Sequence, residues 1–189
     1  MRNRGGAASS SSTVIFDFVS DPSAVSRWYA QDDRVMGGVS QSRLVSVAGG
    51  AAFEGFVSLE QNGGFASIRS RPFVPPLDLS GASGLVLTVR GDGQRYKLVL
   101  RNEEGLGAPS FMAGFDTVPQ IAQRIALSWR DFVATFRGRP ANAHLDCARV
   151  SSCGLMRSKV EADGSLSPRF SPGAFRLEVL TLESSGREP

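Results

Sequence analysis

The sequence predicts an all-β protein, an antiparallel β-sandwich of the jelly-roll type. Three observations predict it. Short runs rich in β-branched and aromatic residues follow one another down the chain, several with strict alternation. Turn residues separate them, drawn from 21 glycines and 10 prolines. No long segment carries the 3.6-residue period of an amphipathic helix. Long connections between some runs favour a jelly roll over an up-and-down barrel.

The elements follow in order. Residues 14–18 read as a first strand. Ser20-Asp21-Pro22 is a helix-start signal, so residues 24–29 are expected to form a short helix or turn with Trp28 as its core anchor. Strands are then expected at 42–47, 52–59, 65–71, 85–90, 95–101, 111–117, 124–127, 148–156 and 174–182. Alternation places Leu85, Leu87 and Val89 on one face, likewise Tyr96, Leu98 and Leu100, and Phe175, Leu177 and Val179. Gly91-Asp92-Gly93 reads as a hairpin turn. Pro72, Pro75 and Pro76 mark an edge or crossover segment. Residues 128–136 space Trp129, Phe132, Val133 and Phe136 by threes and fours, which predicts a short helix or an irregular loop.

With 189 residues, the chain is expected to be one domain over 14–183, flanked by residues 1–13 and 184–189 as tails. The first tail holds two arginines, no acid and a serine run, and is expected to be a disordered tail or a short presequence remnant. No apolar run approaches the ~18 residues of a spanning helix. The net charge of +3 permits an anionic partner without requiring one. Cys147 and Cys153 are expected to be reduced and at least partly buried inside a cell.

The residues give little chemistry. His144 is the only histidine, no nucleophile elbow accompanies it, and it reads as a loop residue. With two cysteines and one histidine, a zinc site is not expected. Asp32, Asp33, Glu54, Glu60 and Asp116 are the visible carboxylates for glycoside chemistry. Neighbouring strand residues point to opposite faces, so Asp32 and Asp33 are expected to divide between capping a turn and pairing with Arg34 or Arg69. Asp17 and Glu178 are the carboxylates that would serve a structural calcium in a sandwich. No phosphate-binding glycine pattern is present. Arg124, Arg130, Arg137 and Arg139 surround one acid, Asp131, and form a candidate basic patch beside Trp129, Phe132 and Phe136.

Two segments share one build: Asp33-Arg34-Val35-Met36-Gly37-Gly38-Val39-Ser40 and Asn62-Gly63-Gly64-Phe65-Ala66-Ser67. In each, polar residues precede a glycine pair that opens a strand. They stand in series with Trp28, Phe53-x-Gly55, Leu59, Asp78-Leu79-Ser80, Gly84-Leu85 and Arg90-Gly91-Asp92-Gly93. Tyr96, Arg101, Phe115-x-Thr117, Phe132-x-x-x-Phe136-Arg137-Gly138-Arg139 and Gly173-x-Phe175-x-Leu177 complete the series. On these motifs the chain resembles the complex I intermediate-associated protein 30 family, from about residue 14 to 183. The resemblance implies a galactose-binding-like jelly roll without catalytic residues, cofactor, metal or small-molecule substrate. It implies an assembly factor that holds protein intermediates of respiratory NADH:ubiquinone oxidoreductase. The compartment implied is the mitochondrial matrix, peripheral to the inner membrane, with the chloroplast as the alternative. A carbohydrate-binding module and a chloroplast translation-associated factor are the alternative functions; DNA is not an expected partner and RNA is disfavoured. The expected partner surface is Asp33, Arg34 and Met36 together with Arg130, Arg137 and Arg139, and Gly37, Gly38, Ser40, Asn62, Gly63, Gly64 and Phe65 are the structural motif.

Overall fold

Alternating residues of β6 (Gly84–Arg90) and β7 (Arg95–Arg101) fill opposite halves of one core. In the computed structural model, which describes residues 12–105 and 107–186, they belong to two antiparallel sheets packed face to face. The first sheet runs β3 (Gln41–Val47), β4 (Gly50–Val57), β13 (Gly173–Ser184), β6, β9 (Ala122–Ser128), with β1 (Val14–Asp17) also on β13. The second runs β11 (Arg139–Pro140), β10 (Val133–Phe136), β8 (Ser110–Asp116), β7, β12 (Ser152–Ser158), β5 (Phe65–Ser70), β2 (Trp28–Ala30). This is the expected jelly-roll sandwich.

The alternation reading holds: Leu85, Leu87, Val89, Tyr96, Leu98, Leu100, Phe175, Leu177 and Val179 are all buried in the core. Phe53 meets Phe175 edge to face, with ring centroids 4.9 Å apart. Trp28 packs on Phe16 at 5.0 Å and is only half-buried.

Several local expectations are corrected. Gly91-Asp92-Gly93 is no hairpin turn, because β6 and β7 lie in different sheets. Asp92 makes it a crossing: its carboxylate accepts from the Gln94 amide and the Tyr96 hydroxyl on one sheet and the Arg176 amide on the other. Residues 22–27 form a 3-10 helix that stops at Trp28, where β2 begins. Residues 128–136 are neither helix nor loop throughout. A 3-10 turn at Trp129–Asp131 hands over to β10, whose Ala134 pairs with Phe111. The three- and four-residue spacing there reflects a turn followed by a strand. The last strands lie at β12 and β13, later by a few residues than read for the former and longer for the latter. The tail expected at 1–13 lies outside the described residues up to 11, as do 187–189; Thr13 and Ser184 exchange hydrogen bonds. No helix of the described residues is long and apolar enough to cross a membrane.

Candidate functional site

Asp33 opens a 3-10 turn (Asp33–Met36) and points its carboxylate inward, with 1% of the residue exposed. Oδ1 accepts from the Ser40 amide at 3.0 Å; Oδ2 accepts from the Ser40 hydroxyl at 2.6 Å and the Gly64 and Phe65 amides at 2.8 and 3.3 Å. Asp32 does the same one step along. It accepts from the Ser42 amide and hydroxyl at 2.8 and 2.5 Å and from the Ser67 amide at 3.0 Å. Two adjacent acids thus staple the start of β3 to the start of β5. Charge-assisted hydrogen bonds of this kind are the strong ones.

The glycine pairs follow from that staple. A Cβ on Gly38 would stand 2.4 Å from the Asp33 carboxylate, and one on Gly63 would stand 2.7 Å from its Oδ2. Gly37 takes the left-handed conformation that ends the turn. The two segments that share a build are one structural unit around a buried carboxylate. Burial would raise the Asp33 pKa, and the donors from Ser40, Gly64 and Phe65 outweigh it, holding the carboxyl below its ordinary 3.8.

The expected pairing of these acids is therefore corrected. Neither Asp32 nor Asp33 pairs with arginine; Arg69 pairs with Glu104, and Arg34 is exposed. Asp33 also offers no surface to a partner, since its acceptors are spent inside. Arg34 and Met36 remain exposed, Met36 by 74%.

The other acids are engaged elsewhere. On the outer face of the six-stranded sheet, Glu54 accepts from Arg43 and Arg176, and Glu178 from Arg176 and Arg90. Asp17 accepts from the amides of Val19 and Ser20, so the pair considered for calcium is turned to other uses. Among the described residues no group of three or more His, Cys, Asp or Glu could hold a metal. Asp116 pairs with Arg95; Glu60 and His144 are exposed. Cys153 is buried, and burial pushes its thiol up to about 12; Cys147 is half-buried.

The basic patch divides. Arg124 sits on β9 and lies 3.7 Å from Glu183. Trp129 and Phe132 pack on the core. Arg137 and Gly138 form a two-residue turn with φ of 51° and 74°, which presents exposed Arg137 and Arg139 beside Phe136. Arg130 is exposed one turn upstream. This cationic hairpin closes one edge of the seven-stranded sheet, whereas β5, which the Arg34 turn adjoins, is four strands away. At 4.8 Å per strand the two expected surfaces stand roughly 19 Å apart. They do not form one site.

Two other features escaped the sequence reading. A groove of about 640 Å³ runs along the six-stranded sheet between Gln41, Arg43, Phe56, Asp92 and Arg176, with Phe56 exposed by 53%. The outer face of the seven-stranded sheet carries Arg69, Arg101, Met112 and Met156 around a cleft of about 30 Å³. The signal for the second was present in β7, where cations alternate with core residues: Arg95, Lys97 and Arg101 against Tyr96, Leu98 and Leu100.

Solved structures share this architecture. A family 11 carbohydrate-binding module of the cellulosomal cellulase Lic26A-Cel5E of Clostridium thermocellum superposes with a TM-score of 0.63 at 13% identity, covering 95% of this chain and 97% of that one. The family 11 module from Clostridium thermocellum in complex with a β-1,3-1,4-mixed-linked tetrasaccharide gives 0.59 at 14% identity, covering 94% and 98%. The agarase AgWH50C also gives 0.59, at 12% identity, with 94% of this chain matched to 25% of that one. At such identities the likeness is one of fold. Comparison with curated protein sequences gives no match. The model of complex I intermediate-associated protein 30 (CIA30) matches residues 16–179, which takes in the Asp32–Asp33 staple and both glycine pairs. The chain belongs to the complex I intermediate-associated protein 30 family.

Proposed function

We propose that this domain is a non-catalytic, chaperone-like binding protein in the assembly of respiratory NADH:ubiquinone oxidoreductase, acting in the mitochondrial matrix at the inner membrane. The observation that carries the reading is the family match over 16–179. The site chemistry supports it: the most buried acids, Asp32 and Asp33, are consumed in holding β3 to β5 and leave no free acid–base pair there. The exposed Arg130, Arg137 and Arg139 and the Arg34–Met36 turn are the partner surfaces of this proposal. Affinity capture from a mitochondrial lysate tests it. Recovery of NADH dehydrogenase subunits, reduced by R137E/R139E, is the expected result. Recovery of photosystem or ribosomal components alone defeats it.

A second reading is a carbohydrate-binding module. The groove beside Phe56 favours it, since an exposed ring among Gln41, Arg43, Glu54 and Asp92 offers stacking and polar contacts together. Retardation in a gel containing mixed-linked β-glucan, abolished by F56A, would establish it. Unchanged migration rejects it.

A further inference from the structure

The outer face of the seven-stranded sheet has one cation too many. Because Tyr96, Leu98 and Leu100 face the core, β7 turns Arg95, Lys97, Val99 and Arg101 outward. Acids from the surrounding loops and from the end of β8 answer most of these charges. Glu161 lies 3.2 Å from Arg95 and 3.9 Å from Lys97, Asp116 lies 3.0 Å from Arg95, and Glu104 pairs with Arg69 across the sheet. Arg101 is half-buried and has no ion pair and no side-chain hydrogen bond among the described residues. The Arg69 guanidinium shares its cleft. Burial first, and then the neighbouring Arg69 charge, disfavour the protonated Arg101; the Glu104 carboxylate, already paired with Arg69, offsets only part of this, and the Arg101 pKa is lowered. A partly desolvated guanidinium that shares a cleft with a second one is costly until a further anion arrives.

The cleft sets the size of that anion. At about 30 Å³ it admits a head group the size of a carboxylate and is far below the roughly 300 Å³ or more of a pocket that encloses a drug-sized ligand. Its walls include Gln31 and Ser152, and its surroundings are apolar: Val99, Met112 and Met156 line it. Val133, 41% exposed, pairs with Met112 next to them. Methionine side chains adapt to varied apolar partners. Apolar walls beside one arginine that has no ion pair of its own complement a chain that alternates apolar and acidic residues.

We propose that this face docks an extended acidic segment of a partner protein, one of whose carboxylates is received by Arg101 beside Arg69 while its apolar residues lie on Met112, Val133 and Met156. The inference rests on the assembly-factor reading and names the partner chemistry. Arg101 would hold the carboxylate through two parallel N–H···O bonds, a geometry lysine lacks.

The test is an NMR titration of the full chain, followed at the Met112 and Met156 methyls, with an acetylated peptide alternating leucine and glutamate. Saturable shifts are expected, weakened about tenfold or more in R101Q, less in R101K, and by the same order for the glutamine twin of the peptide. Unchanged melting temperatures establish that both variants fold. Absence of saturable shifts on this face overturns the proposal, as does equal affinity for the glutamine twin or for R101Q. So does a mixed-linked tetrasaccharide that shifts these methyls when the peptide does not. Failure is separable from that of the assembly reading: wild-type capture of NADH dehydrogenase subunits, unaltered by R101Q, leaves the assembly role standing and removes this surface from it.

Discussion

The carboxylate of Asp33 accepts a 2.8 Å hydrogen bond from the amide of Gly64, 31 residues later in the chain. That contact turns two similar glycine segments into one joint between the sheets, because β3 belongs to the six-stranded sheet and β5 to the seven-stranded one. Asp33→Asn keeps the shape and removes the charge. Its amide nitrogen would meet donors on one side or the other, from Ser40 or from Gly64. With hydrogen bonds to a charged acceptor contributing ~1.5–3 kcal/mol each, a loss of about 3 kcal/mol is expected. Urea unfolding checks it: the midpoint falls and the slope stays constant. Ser40→Ala, which removes one donor, is expected to cost about 1–2 kcal/mol.

The same carboxylate gives the protein an acid limit. The folded Asp33 pKa lies below the ordinary 3.8, so the unfolded chain binds the proton first as pH falls. Its contribution is complete above pH 3.8 and is lost as pH drops through the folded pKa. Half-buried Asp17 and exposed Asp78 and Asp163 also have lowered pKa values and titrate in this window. The difference between wild-type and D33N unfolding curves from about pH 5 to 2 isolates Asp33 and is expected to shrink with acidity. A constant difference refutes the assignment.

Lys97 sets the alkaline behaviour. Burial pushes its pKa down from 10.5 to about 8, with the Glu161 charge opposing the shift. Between those values the unfolded chain holds a proton that the folded chain has released, so stability rises with pH. On the order of 2–3 kcal/mol is expected across the window. Tyr96 acts against it above pH 10: burial, then Asp92, keeps its hydroxyl protonated in the fold beyond the ordinary 10.0. Buried Cys153, its thiol raised from 9.0 to about 12, also acts against it from about pH 9. The test is therefore a difference: the stability of wild type minus that of Lys97→Met, which fills the same space without a charge, is expected to rise from pH 8 to 10. Thermal unfolding at fixed ionic strength distinguishes the curves.

The two cysteines should differ in reactivity. Cys153 is 3% exposed among Leu100 and Leu155, and its thiol is pushed up to about 12. Since the thiolate is the reactive form, it should resist a disulfide reagent at pH 8 until the protein unfolds. Half-buried Cys147 should label first and slowly, its pKa raised by burial and then by Asp146. Labelling of both residues at equal rates in native buffer contradicts this packing.

Alternation made the centre of the fold legible. Leu85, Leu87 and Val89 must share a face because strand geometry has a period of two, and burial follows. Connections were less legible: Gly91-Asp92-Gly93 has hairpin composition, yet Asp92 joins Tyr96 to Arg176 across two sheets, a long-range use of a turn residue. Asp32 and Asp33 were visible as acids but not as staples. Their donors Ser42, Ser67, Ser40 and Gly64 are set by pairings that only the topology creates. Arg101 was visible as a motif residue; that Glu104 pairs with Arg69 and leaves Arg101 without an ion pair of its own is a property of the folded face.

The cationic hairpin permits a separation of stability from binding. Arg137 has φ of 51° and Gly138 has φ of 74°, the pair of positive values that a two-residue turn of this hand requires. A side chain other than Asn, Asp or Gly is strained there by about 1 kcal/mol. Arg137 also stacks its guanidinium 5.2 Å from the Phe136 ring, worth about 0.5 kcal/mol at an exposed site. Arg137→Asn relieves the strain and loses the stack, so a net gain of about 0.5 kcal/mol is expected. Gly138→Ala introduces strain without compensation and should cost about 1 kcal/mol. Opposite signs in paired urea titrations identify the turn. If Arg137→Asn is as stable as wild type or more so yet captures less partner, the lost charge, not the fold, carries the binding.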